Sequence, residues 1–141
     1  MTNLRAIECE EFLPHPPAAV WRAITTPEVI AKWWANAADL RPVVGHPFTI
    51  DMDRWGVQQC RVLEVEEGRL LRYTFSEGVL DSTLTWRLEP EGTGTRLFLV
   101  HDGLDQDSPI GRAALEGMGR GWQDVLGRIS HVIAAAGVDT V

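Results

Sequence analysis

Two hydrophobic periods divide this chain, and the change from one to the other limits its fold more than any single residue. Leu80, Ser82, Leu84, Trp86 and Leu88 alternate with Asp81, Thr83, Thr85, Arg87 and Glu89. A period of two held over ten residues is a half-buried β-strand. After Ser108-Pro109, a helix start, apolar residues recur at helical spacing. Leu115, Met118, Trp122, Val125 and Leu126 are followed by Ile129, Val132, Ile133 and Ala136, with Gly137 as the expected stop. A sheet with one wet face must bury the other, and a helix with one apolar stripe supplies the second layer.

The rest of the chain fits between these two elements. Residues 5–13, with Ile7, Cys9, Phe12 and Leu13, read as a first strand broken at Pro14. Pro16-Pro17 opens a short helix through Ala18–Thr25, and Thr26-Pro27-Glu28 supplies an N-cap, a first-turn proline and a first-turn acid for a second. Phe48, Ile50 and Met52 alternate again, and Asp53 to Gly56 turn the chain. Residues 58–66 return as a strand whose parity is ambiguous, because Val62, Leu63 and Val65 do not sort onto one face. Leu71, Tyr73 and Phe75 alternate, Pro90 to Gly94 form a hairpin, and residues 95–102 complete the set. The class is α+β: a curved six-stranded antiparallel sheet wrapped around one long C-terminal helix, with two short helices after the first strand. One domain spans residues 1–141. Gly111, Gly117, Gly119 and Gly121 weaken the start of the long helix. They read either as close helix–sheet contact or as a thin wall over a cavity.

Charge and composition exclude partners. Thirteen Lys and Arg face twenty Asp and Glu, a net charge of −7, which argues against nucleic acid and against an anionic membrane surface. The N-terminus has no apolar core of signal-peptide length, and no stretch approaches the roughly 18–20 apolar residues of a membrane span. Cys9 and Cys60 are too few for a zinc or redox motif. A cytoplasmic protein with free thiols is expected. Six Trp stand beside four Phe and one Tyr. An indole buries a large area and still needs a partner for its N–H, which suits cavity walls and interfaces, a homodimer surface included.

Several segments in order resemble the activator-of-heat-shock-ATPase-homologue-like family of the START/birch-pollen-allergen (SRPBCC) superfamily. They are Pro16 to Glu28 followed by Trp33-Trp34, then Arg41-Pro42 with Gly45 and Phe48. Glu64-Val65-Glu66 with Leu70, Tyr73, Thr74 and Phe75 come next, then Thr85 to Leu97, His101 and Gly121-Trp122. Val43, Val44, His46 and Pro47 stand where relatives often carry glycines, so entry to the following strand is expected to be stiffer. The resemblance implies a helix-grip fold with a cavity between sheet and long helix, used elsewhere for lipids, steroids and polyketides. Some relatives stimulate a chaperone ATPase.

Motifs for chemistry are sparse. The chain has no phosphate-binding glycine loop, nucleophile elbow or His-Glu zinc motif, so no cofactor is expected. His15, His46, His101 and His131 lie on separate elements without ligand spacing, so no metal is expected either. His101 shares the inward face of its strand and is the one candidate acid–base; a structural histidine is the plainer reading. Ser82, inward on the long strand, is a candidate hydrogen-bond donor. Phe48, Met52, Tyr73, Trp86, Met118 and Trp122 converge between sheet and helix, with Trp34 and Trp55 near the mouth. With Ser82 and His101 they are the candidate ligand residues. The expected function is binding of a small apolar or aromatic molecule without catalysis. The alternatives are a cyclase, aromatase or hydrolase using His101, and a chaperone-regulating interaction module.

Overall fold

The computed structural model describes residues 3–136 and builds the two layers from one antiparallel sheet and three helices. The strands are β1 (Leu4–Leu13), β2 (Asn36–Ala38), β3 (Pro47–Asp51), β4 (Val57–Glu66), β5 (Leu70–Phe75), β6 (Ser82–Glu91) and β7 (Gly94–Asp105). The helices are α1 (Pro17–Thr25), α2 (Pro27–Trp33) and α3 (Pro109–Ala136), with a 3₁₀ turn at Asp53–Trp55. The sheet order is β1-β7-β6-β5-β4-β3-β2, so the first strand pairs with the last. The helix α3 packs against β1, β7, α1 and α2.

The sheet has seven strands where period alone implied six. The extra one, β2, pairs Asn36 to Ala38 with β3, and three residues are too few to display an alternation. The ambiguous parity of residues 58–66 has a physical cause. The β4–β5 register shifts between Val62 and Glu64, so Leu63 is a bulge residue left exposed while Val62 is buried. The β6–β7 turn is tighter than expected: Glu91 pairs with Gly94, leaving only Gly92 and Thr93 between the strands. Leu80 falls just before β6 rather than within it.

Ser108 starts α3 as its spacing implied, its Oγ accepting the Gly111 N–H at 3.3 Å. Thr26 holds the N-cap position of α2 without a side-chain cap bond. The expected stop at Gly137 lies outside the described residues. The four early glycines of α3 are of two kinds. A Cβ on Gly111 would run into the Asp105 carbonyl, so close approach of the preceding strand requires glycine there. Gly117, Gly119 and Gly121 face open space. The inward faces meet in one core. Trp122, Leu126, Ile129 and Ile133 of α3 pack with Leu84, Trp86 and Leu88 of β6, Leu97 and Leu99 of β7, and Val20, Ile24 and Trp33 of the short helices.

Candidate functional site

Inward parity on β6 and β7 buries Ser82 and His101 beneath α3, and their protons are ordered by their neighbours. The Trp122 indole donates to His101 Nδ1 at 3.1 Å, so Nδ1 carries a lone pair. His101 Nε2 lies 2.9 Å from Ser82 Oγ, and Ser82 donates to the Phe75 carbonyl at 3.0 Å. A hydroxyl has one proton, so the Ser82 oxygen accepts from an Nε2–H. The imidazole is neutral with both nitrogens engaged. Burial pushes its pKa down from 6.5 to about 4. His101 is inaccessible to solvent. A group so placed links β7 to β6 and to α3 through its two hydrogen bonds.

Indoles and a few other rings fill the space around it. Trp33 and Trp34 stack at 6.1 Å, Trp34 lies 5.0 Å from Trp122, and Trp86 meets Trp122 edge-on at 5.8 Å. Phe48 and Tyr73 meet edge-on at 5.0 Å. Each buried indole has its partner: Trp86 donates to the Tyr73 hydroxyl at 3.0 Å and Trp33 to the Ala23 carbonyl at 3.0 Å. Burial pushes the Tyr73 hydroxyl well above its ordinary range and the Cys60 thiol up to about 12, leaving both protonated. Among the described residues no buried side-chain nitrogen or oxygen lacks a partner. This interior therefore presents no polar group waiting for a ligand.

A concavity lies at one end of these layers. The β3–β4 tip, the β5–β6 loop and the first turns of α3 surround a cleft of about 210 Å³, open on one side. Met52, Trp55, Val57 and Gln58 form one wall, Phe75, Ser76, Val79 and Leu80 a second, and Ile110, Ala113, Ala114 and Met118 the third. The two tips are tied to each other. Gln58 Nε2 donates to the carbonyls of Trp55 at 2.9 Å and Gly56 at 3.2 Å, which orients its amide so that Oε1 accepts the Ser76 hydroxyl at 2.5 Å. Ser76 and Asp81, at φ of 65° and 50°, hold the second loop in a left-handed geometry that non-glycine residues seldom adopt. Its backbone turns inward on itself, with the N–H groups of Val79, Leu80 and Asp81 all directed to the Ser76 carbonyl.

The ten candidate ligand residues divide between these two places. Met52, Trp55 and Met118 line the cleft. Phe48, Tyr73, Ser82, Trp86, His101 and Trp122 are buried in the packed interior, and Trp34 is half-buried against Phe75 and Trp122. Phe75 belongs to both, lining the cleft and meeting the His101 ring edge-on at 5.5 Å. Gln58, Ser76, Val79, Ile110, Ala113 and Ala114 were not singled out from sequence, because they sit at strand ends, in a loop and on an aperiodic helix start. The apolar Val79-Leu80 inside an otherwise polar loop, Ser76 to Asp81, was the available signal. Among the described residues no three His, Cys, Asp or Glu side chains come together in a way that could hold a metal ion. No described helix is long and apolar enough to cross a membrane.

Comparison with known proteins fits this geometry into a group. A family model described as Activator of Hsp90 ATPase homolog 1-like protein matches residues 14–134. Among solved structures, protein MLL2253 from Mesorhizobium loti is 34% identical with a TM-score of 0.80, over 93% of this chain and 98% of that one. Protein BH1534 from Bacillus halodurans is 30% identical with a TM-score of 0.80, over 94% and 99%. The Aha1 dimer from Colwellia psychrerythraea has a TM-score of 0.76 at 15% identity, over 92% and 96%, a likeness of fold alone. Among curated proteins none matches.

Proposed function

The chain belongs to the Activator of Hsp90 ATPase homolog 1-like family, and on that premise we propose that it binds a small apolar molecule in the cleft between α3 and the β3–β4 and β5–β6 tips. One observation carries the reading. Nine large apolar residues are exposed among the described residues, and four of them, Trp55 (63%), Val57 (57%), Val79 (57%) and Ile110 (44%), rim this one cleft. Apolar side chains gathered around a concavity are the usual form of a ligand site. The place differs from the expected interior cavity, which indoles occupy. The neutral, fully bonded His101 favours binding over acid–base catalysis.

A cavity of roughly 150 Å³ accommodates benzene, so about 210 Å³ suits a molecule of two fused rings rather than a steroid or a long acyl chain. The test is a titration with naphthalene, a long-chain fatty acid and a steroid, followed by tryptophan fluorescence and thermal unfolding. Naphthalene is expected to give a saturable response. Ala114→Trp, which fills the cleft from α3, is expected to abolish it while unfolding stays cooperative. A flat response to all three, or naphthalene binding unchanged in Ala114→Trp, overturns the reading.

A further inference from the structure

The geometry points to a ligand class: the cleft selects an apolar molecule that carries a neutral hydrogen-bond donor, a hydroxyl or phenol, over one that can only accept or that is anionic. This rests on the cleft being the binding site, and it follows from counting donors and acceptors. Two lining side chains, Gln58 and Ser76, carry the hydrogen-bonding groups of its inner end; the remaining indole nitrogen belongs to Trp55 at the exposed rim.

Both protons of the Gln58 amide nitrogen are directed at the carbonyls of Trp55 and Gly56. The Ser76 hydroxyl spends its one proton on Gln58 Oε1. In the tips, the N–H groups of Met52, Trp55 and Gly56 bond within the first and those of Val79, Leu80 and Asp81 within the second, the Leu80 N–H also reaching Ser76 Oγ at 3.4 Å. What remains is lone pairs, on Gln58 Oε1 and on Ser76 Oγ. A ligand hydroxyl can donate to them. A ketone, ether or carboxylate brings a further acceptor to two side chains whose protons are already engaged, and loses its bonds to water there without replacement. The two tips carry Asp51, Asp53, Glu77 and Asp81 against Arg54 alone, which repels anions from their side of the cleft.

Three ligands with one ring body separate the possibilities: 2-naphthol, 2-methoxynaphthalene and 2-naphthoate, titrated at neutral pH against the wild-type chain. The naphthol is expected to bind about tenfold more tightly than the ether, one net hydrogen bond's worth, and the carboxylate most weakly. Gln58→Met, which keeps the side-chain length and removes the amide, is expected to bring naphthol and ether within about twofold of each other. Gln58→Met combined with Ser76→Gly, which relieves the positive φ and removes both acceptors, makes the same comparison if Gln58→Met alone does not unfold cooperatively. Ether or carboxylate binding as tightly as naphthol overturns the donor selection and leaves the cleft standing. A naphthol preference that survives removal of these groups overturns their part in it. Failure of all three ligands to bind overturns both the selection and the cleft.

Discussion

The Trp122 indole donates its N–H to His101 Nδ1 across 3.1 Å, and this bond sets the tautomer of a histidine that solvent does not reach. It joins the long helix to the last strand through a polar contact inside an otherwise apolar core. Trp122→Phe keeps most of the packing and leaves Nδ1 without a donor. The expected loss is about 1–3 kcal/mol of unfolding free energy, the cost of an unpaired buried acceptor. Adding His101→Leu removes the orphaned acceptor, and the double variant is expected to be more stable than the sum of the two single losses implies. Strict additivity in denaturant unfolding contradicts the contact.

Acid should find the same histidine. Its folded pKa, lowered to about 4 by burial, lies below the ordinary 6.5, so the unfolded chain takes up the proton first. The stability tied to neutral His101 is intact above about pH 6.5, is lost as pH falls toward 4, and levels off below. The full span is about 3 kcal/mol. His101→Gln has no such titration, so the stability difference between wild type and variant is expected to move against the wild type across that window. A difference that stays constant from pH 7 to pH 4 contradicts a buried, neutral imidazole.

Glycines one or two turns apart on α3 should respond in opposite ways. Gly111→Ala drives a Cβ into the Asp105 carbonyl and is expected to cost about 2–3 kcal/mol or more. Gly117→Ala and Gly119→Ala meet open space and are expected to stabilise by about 0.5–1 kcal/mol each through helix propensity and lost unfolded-state freedom. Thermal unfolding of the three variants checks both signs.

The sheet and the long helix were legible because each is a sustained period. Ser82 to Leu88 on β6 and Trp122 to Ile133 on α3 bury the faces their spacing marks. Periodicity failed where one residue was out of step, as at the Leu63 bulge, or where an element was too short, as in β2. It also gave the parity of Trp86, His101 and Trp122 without saying how much space would remain between them. That is a question of volume, and four indoles with Phe75 occupy it. The cleft is built from Gln58, Ser76 and the aperiodic start of α3, where side-chain direction depends on turn geometry and on two left-handed non-glycine residues.

The six indole N–H groups offer the most direct test of where a ligand sits. In a nitrogen–proton correlation spectrum recorded during a 2-naphthol titration, the Trp55 indole signal is expected to move with the backbone amides of Gln58, Ser76 and Ala114. The indoles of Trp33, Trp86 and Trp122, each bonded within the core, are expected to stay in place. Early movement of the Trp86 and Trp122 indoles with Trp55 unchanged would put the ligand between sheet and helix and contradict binding in the cleft.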